Sequence, residues 1–223
     1  MLENNRYTIG FIRHDEKVFD SHLGPSLENL KGNFNILTTS DKKFPAQNYN
    51  DIIDRCETDY LILTHQDVSF SSDLLLNIEK TIKILEKRGL GFSSLGIVGR
   101  IYDDNSYNVK WCSTSKLYKY ETIDCCFILI DVRQKLKFDD KIFDEFHLYV
   151  EDYCINAQEK TGLGCWSIAT NSAESKLAPI SIKESSYIMH HSATVNIKGT
   201  CWGRYLEFKN KLFNKYNRQI KTT

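Results

Sequence analysis

An apolar run, Tyr60-Leu61-Ile62-Leu63, passes through Thr64 into the polar triplet His65-Gln66-Asp67 before Val68. In an open α/β sheet, ligands bind beyond the carboxyl ends of the strands, so a carboxylate at such an end stands where a bound molecule would meet it. Mg²⁺ and Mn²⁺ favour oxygen ligands and commonly bridge a protein carboxylate to substrate phosphates. Asp67 is therefore a candidate ligand for Mn²⁺ or Mg²⁺. The competing reading is that Asp67 only caps the turn after the strand, with His65 packed beneath it. A second acidic pair, Glu151-Asp152, opens a helical stretch. A hydroxyl is a poor nucleophile near neutral pH, and a positioned carboxylate that takes its proton in the transition state speeds its attack. Asp152 is the better candidate for that base and Glu151 its competitor, because neighbouring residues at a helix start point in different directions. The bland alternative is that both acids simply favour the positive end of the helix. His190 and His191 are candidate nitrogen ligands, although lone histidines are more often structural.

These residues need elements to hold them. Tyr7 to Arg13 and Phe34 to Thr39 read as β-rich runs, with a loop-and-helix stretch containing Gly24-Pro25 between them, which is a βαβ opening. From Asn48 to Cys56 the residues Ile52, Ile53 and Cys56 recur at helical spacing, and the Tyr60–Thr64 strand follows, apolar on both faces as in a parallel, covered sheet. Ser71-Ser72-Asp73 caps a helix carrying Leu74, Leu75, Ile78, Ile82 and Leu85, stopped by Gly89 and Gly91. Ile97-Val98 is expected as a short strand, Asp103 to Tyr120 as an irregular polar segment, and Cys125 to Ile130 as the most apolar strand. A helix from about Glu151 to Lys160 ends at Gly162, and Ile168-Ala169 marks one more strand.

Composition narrows the class. With 223 residues the chain suits one α/β domain, and 29 Lys plus Arg balance 29 Asp plus Glu, so nothing in the charge suggests a nucleic-acid partner. No apolar run approaches the roughly 18 residues of a membrane span. The N-terminal segment lacks the layout of a secretory signal, which makes a cytoplasmic location the expectation. The seven cysteines form no Cys-x-x-Cys and read as reduced, mostly buried thiols. No Gly-x-Gly-x-x-Gly or P-loop pattern occurs, which disfavours dinucleotide and P-loop chemistry.

Read in order, Ala46-Gln47-Asn48-Tyr49-Asn50, Asp59-Tyr60-Leu61-Ile62-Leu63 and His65-Gln66-Asp67-Val68 resemble the nucleotide-binding half of the GT-A glycosyltransferases. The resemblance is to the branch of inverting family 2-like enzymes whose Asp-x-Asp motif reads His-Gln-Asp. It continues through Gly96-Ile97-Val98-Gly99 (a central strand), Glu121 to Ile130 (the acceptor-side strand), Phe143-Asp144-Glu145, Tyr149 to Cys154 and Ile188-Met189-His190-His191-Ser192, and so covers roughly residues 7 to 195. It implies a mixed, mostly parallel, Rossmann-like sheet flanked by helices in a single domain (1–197), and transfer of a sugar from a nucleotide-sugar donor to a glycan or lipid-linked acceptor hydroxyl with inversion. Under it, Asp67 holds the metal on the donor diphosphate, completed by His190 or His191. Arg13, Asn48, His65 and Gln66 fall on the donor side, and Asp124 and Trp111 on the acceptor side. Two rivals remain. A sugar nucleotidyltransferase usually carries a Gly-rich loop after its first strand, where this chain has Ile12-Arg13-His14-Asp15-Glu16-Lys17; a catalytically silent nucleotide-sugar-binding module would keep the same sheet and pocket.

The segment 198–223 is basic, with Lys198, Arg204, Lys209, Lys211, Lys215, Arg218 and Lys221 against Glu207, and Tyr205, Phe208, Leu212 and Phe213 form an apolar helical stripe. It reads as a packed helix with a solvated basic face, or else as a peripheral contact with an anionic membrane surface.

Overall fold

A computed structural model of the protein describes residues 5–40, 44–101, 110–111, 117–168, 188–190 and 201–222, with only the backbone described at 110–111, 188–190 and 201–203. Strand β1 (Tyr7–Arg13) pairs in parallel with β2 (Phe34–Ser40), Tyr7 facing Phe34 and Arg13 facing Ser40. Parallel neighbours require a crossover. Two short helices supply it, α1 (Glu16–Ser21) and α2 (Leu23–Asn29). The Asp15 carboxylate starts α1 by accepting from the Lys17 and Val18 amides at 2.9 and 3.2 Å. Helix α3 (Pro45–Arg55), with Pro at its first turn, leads back to β3 (Tyr60–Thr64), which lies parallel to β1 on its other side.

Beyond β3 the chain forms β4 (Val68–Phe70), α4 (Leu74–Lys87), β5 (Phe92–Gly96), β6 (Val98–Ile101), β7 (Lys110–Trp111), β8 (Lys119–Ile123) and β9 (Phe127–Asp131). After a one-turn 3₁₀ segment at Val132–Gln134 come α5 (Tyr149–Thr161), β10 (Gly164–Ser167), β11 (Ile188–His190) and α6 (Cys201–Tyr216). Nine strands form one sheet in the order β2-β1-β3-β9-β5-β10-β8-β6-β7, and β11 pairs with β4 apart from it. Strands β2, β1, β3, β5, β10 and β6 run one way; β9, β8 and β7 run against them.

Several sequence expectations need correcting. The stretch Gly96–Gly99 is not one central strand: β5 ends at Gly96 and β6 begins at Val98, so the chain changes position in the sheet there. At Gly99 a Cβ would stand 2.3 Å from the Thr122 carbonyl oxygen, so the approach of β6 to β8 requires glycine. The apolar strand starts at Phe127 rather than Cys125, because the Asp124 carboxylate accepts from the Cys126 amide at 2.9 Å and closes a turn. That strand is antiparallel to β3 and β5, so the sheet around β3 is mixed. The expected strand at Ile168-Ala169 is β10, which ends at Ser167; Ala169 lies outside the described residues. The segment read as irregular contains β7 and the start of β8.

Side chains alternate across β3. Tyr60 and Ile62 join a core with Leu23 and Leu27 of α2 and Leu74, Ile78 and Leu85 of α4, while Leu61 and Leu63 join a second core with Tyr49 and Ile52 of α3, Tyr153 of α5 and Phe208 and Leu212 of α6. The C-terminal helix thus packs on the domain through its apolar stripe. Its basic groups meet acids of the body: Arg204 pairs with Glu145, Lys215 with Asp139 at 2.8 Å, and Arg218 with Glu121 at 2.6 Å. Among the described residues no helix is long and apolar enough to cross a membrane, and Cys56, Cys125, Cys126, Cys154 and Cys165 are free thiols.

Leu212 is wholly buried and Leu206, on the same helix, is 45% exposed. Leu212→Ala is expected to cost about 2–5 kcal/mol in urea unfolding and Leu206→Ala no more than about 0.5 kcal/mol. Equal small effects would show that α6 is not packed as described.

Candidate active site

The carboxyl end of β3 opens where three segments meet it. The Cys126 carbonyl accepts from the His65 amide at 3.1 Å and from the Thr64 hydroxyl at 3.2 Å, which fixes the direction in which the chain leaves the sheet. The Nε2 atom of His65 is 3.5 Å from the Tyr149 hydroxyl at the start of α5, and its Nδ1 is 3.9 Å from Asp67 Oδ1. The Tyr49 hydroxyl of α3 reaches the Thr64 carbonyl at 3.5 Å, and the Tyr49 and Tyr149 rings lie 5.9 Å apart beside Phe138. Burial pushes both phenols well above their ordinary range, so they remain protonated hydrogen-bond donors. The N-termini of α3 and α5 are therefore clamped beneath His65 by an aromatic cluster, while the Asp67 side chain keeps a quarter of its surface open.

Asp67 and the histidine segment converge through backbone pairing. Strand β11 is antiparallel to β4 with His190 opposite Val68, so His190 stands in register with the residue after Asp67. His191 lies outside the described residues. Among the described residues no three His, Cys, Asp or Glu side chains form a cluster that could hold a metal ion. One partly exposed carboxylate at a strand end, with a histidine brought alongside by pairing, still fits Mg²⁺ or Mn²⁺, which retain waters and take substrate phosphates for their other positions.

The other donor-side residues divide. Gln66 is 3% exposed, and its amide oxygen accepts from the backbone amides of His14 and Asp15 at 3.0 and 3.3 Å. It ties the loop after β1 to the loop after β3. Arg13 caps the carboxyl end of β1, its guanidinium held bidentately by Glu16 and stacked 4.2 Å over Phe19. Asn48 is 2% exposed in the first turns of α3 and lines a groove of about 490 Å³ with Thr38, Thr39, Ser40 and Asp51. Neither Asp67 nor Glu151 lines that groove.

On the acceptor side, the Asp124 amide donates to the Val98 carbonyl at 3.0 Å from the β8 side of β6, and Trp111 stands opposite Val98 on the β7 side, so the two expected residues flank β6 from opposite edges. The acids of α5 face different ways. Asp152 is 1% exposed, and its carboxylate accepts from Lys215 Nζ at 2.8–3.0 Å and from the Tyr216 hydroxyl at 2.8 Å. Burial raises its pKa above the usual carboxylate range, against the pull of Lys215 and Tyr216. A base must reach the proton it takes, and this carboxylate is spent on α6. Glu151, the neighbouring acid, is 4% exposed. Sequence reading missed Tyr49, Tyr149 and Lys215. The first two lie at helix starts inside the quoted motifs but were given no role there, whereas Lys215 carried no signal beyond its basic segment.

The sequence matches no protein-family model and no curated protein. Solved structures do match in three dimensions. S. aureus TarS superposes with a TM-score of 0.58 at 9% identity, covering 96% of this chain and 43% of that one. The mannosyltransferase PcManGT from Pyrobaculum calidifontis, in complex with GDP-Man and Mn²⁺, gives 0.51 at 10% identity over 76% of this chain and 56% of that one. GalNAc-T7 with UDP, GalNAc and Mn²⁺ gives 0.54 at 8% identity over 74% and 43%. The chain thus spans less than two thirds of each of these proteins. At such identities the likeness is one of architecture: the chain has the GT-A fold, a mixed, mostly parallel sheet flanked by helices in a single domain.

Proposed function

We propose that the protein is a metal-dependent glycosyltransferase that moves a sugar, with inversion, from a nucleotide-sugar donor to an acceptor hydroxyl. The observation that carries this reading is the convergence of Asp67, at the carboxyl end of β3, with His190, in register with Val68. It is supported by the GT-A fold and by neighbours bound to UDP or to GDP-Man with Mn²⁺. Asp67 would hold the cation together with His190 or His191, and the bound cation would supply charge stabilisation to the leaving diphosphate. Arg13, Asn48 and His65 bind the nucleoside side, with Tyr149 orienting the His65 ring. Glu151 is the base: it takes the proton of the acceptor hydroxyl as that oxygen bonds to the anomeric carbon and the bond from that carbon to the diphosphate oxygen breaks, with the electron pair leaving on the diphosphate. Asp152 is the residue that anchors α6 to α5. A lipid-linked acceptor, contact of segment 198–223 with an anionic membrane surface and a cytoplasmic location belong to the same proposal. The burial of both acids favours a second reading, a nucleotide-sugar-binding module without turnover.

Asp67→Asn removes a charged oxygen ligand without changing side-chain size. It is expected to leave the unfolding midpoint near that of the parent and to weaken Mn²⁺-dependent binding of UDP or GDP by at least about tenfold, read by calorimetry. Undiminished Mn²⁺-dependent affinity would remove Asp67 from the metal site.

The two acids of α5 separate in one experiment. Glu151→Gln is expected to keep donor affinity and to slow transfer by about 10²- to 10⁴-fold, the usual contribution of a general base. Asp152→Asn is expected to destabilise the fold by about 1–3 kcal/mol through its weakened bonds to Lys215 and Tyr216, with transfer largely retained by the folded fraction. The reverse pattern would return the base to Asp152. Donor binding without transfer to any acceptor, or to water, in the unsubstituted protein would favour the binding module.

A further inference from the structure

Both ring nitrogens of His65 are aimed at named groups. The bond from the His65 amide to the Cys126 carbonyl, at 3.1 Å, fixes the point from which its side chain leaves the end of the sheet. Nε2 turns inward, 3.5 Å from the hydroxyl of Tyr149, a residue 1% exposed whose ring packs against Tyr49 and Phe138. Nδ1 turns the other way and lies 3.9 Å from Asp67 Oδ1. That separation is too long for a hydrogen bond. The His65 and Asp67 side chains are 29% and 25% exposed, so both keep surface that a ligand can reach.

The inward contact decides what the outward nitrogen can do. A neutral imidazole carries its proton on one nitrogen and a lone pair on the other. The Tyr149 hydroxyl has Tyr49 and Cys125 as further hydrogen-bond partners for its own proton, which leaves its oxygen to accept from Nε2–H. Nδ1 then turns its lone pair towards the Asp67 carboxylate. A lone pair and an anionic oxygen repel each other, and a cation between them removes the repulsion. Metal-binding histidines share this arrangement, with one nitrogen on the ion and the other N–H bonded to a group that fixes the ring. Bonds of about 2.0–2.2 Å to nitrogen and oxygen let one cation take both atoms after the two side chains close by about 1 Å.

The donor atoms also set which cation is held. Mg²⁺ is a hard ion that takes oxygen, whereas an imidazole nitrogen suits the first-row transition ions, whose affinity for such sites rises from Mn²⁺ upwards. We propose that His65 Nδ1 is a ligand of the same cation as Asp67 and that this nitrogen makes the site select Mn²⁺ over Mg²⁺. The inference rests on the transferase reading for the donor diphosphate that shares the ion, and it narrows the donor contact of His65 to that ion. Tyr149 is the positioning residue, holding the ring in the tautomer that frees Nδ1.

The full chain is labelled with ¹⁵N at histidine and first studied without metal by ¹H–¹⁵N correlation NMR. The His65 ring is expected as the Nε2–H tautomer, and this reading needs no variant; Tyr149→Phe is expected to lose the fixed tautomer. Mn²⁺ is then added with UDP or GDP, and directly bonded nitrogen is detected by pulsed EPR. His65→Ala and His65→Asp should each remove one histidine nitrogen coupling that the parent shows, leaving any coupling from His190 or His191. In calorimetry with the metal alone, the preference of the parent for Mn²⁺ over Mg²⁺ should fall about tenfold in His65→Asp. The unfolding midpoint of each metal-free variant, close to that of the parent, reports that it is folded. An Nδ1–H tautomer in the parent, or an unchanged metal preference in His65→Asp, overturns the proposal. Mn²⁺ bound with the nucleotide but with the same nitrogen couplings in both His65 variants overturns it and leaves the transferase reading standing. A His65 coupling to Mn²⁺ in a protein that binds neither UDP nor GDP keeps the ligand and removes the transferase reading. Absence of Mn²⁺ binding overturns both.

Discussion

The structure depends on the burial of β3 on both faces. Tyr60 to Thr64 are all buried, with alternate side chains committed to opposite cores. Neither face of such a strand can offer a polar group to solvent without leaving it unpaired in the interior, at a cost of about 1–3 kcal/mol for each unsatisfied group. Polar chemistry can appear only where the strand ends. His65 and Asp67 stand there, and neighbouring elements are fixed to that end by bonds to Thr64 and His65 from the β8–β9 turn, α3 and α5.

A second constraint lies away from the proposed chemistry, where Lys215 of α6 stands between Asp139 and Asp152. Burial acts on all three groups, but the outcomes differ. It raises Asp152 despite its hydrogen bonds, whereas Asp139, with two backbone amides as well as Lys215, ends below its ordinary value. The signs then oppose. Asp139 contributes stability that is present above its unfolded pKa and is lost as pH falls through its lowered folded value. Asp152 costs stability as pH rises from its unfolded value to its raised folded one. Lys215, held above its ordinary value by the two carboxylates against the effect of burial, contributes throughout the neutral range and loses its contribution only as pH rises through its folded value. The two carboxylates that meet Lys215 therefore act on stability in opposite directions in the acid range.

A third constraint lies at Gln66 on the donor side. Its neighbours His65 and Asp67 in the triplet are each partly exposed, but the middle residue turns inward, where the amides of His14 and Asp15 and the His14 ring nitrogen meet its side chain. Three adjacent polar residues thus divide into two that are partly exposed and one that holds two loops together.

Much of this was legible in the residues. The apolar run closed by His65-Gln66-Asp67, the spacing of Ile52 and Ile53, and the stripe of Phe208 and Leu212 report local periodicity and burial, which depend on each segment's own pattern. The helix boundaries near Asp73, Gly89 and Gly162 were equally readable, although Asp73 stands at the N-cap without a side-chain cap bond and pairs with Lys31 instead. What the sequence could not decide is anything that depends on which distant group arrives. The split of Gly96–Gly99 into β5 and β6 follows from the path of the sheet. The pairing of His190 with Val68, the capture of Asp152 by Lys215 and the meeting of Phe44 with Phe146 join segments whose separation along the chain carries no periodic trace. Periodicity decides which face a side chain takes; only the packed tertiary structure decides what it meets there, because a partner's identity is set by long-range contacts rather than by the local pattern.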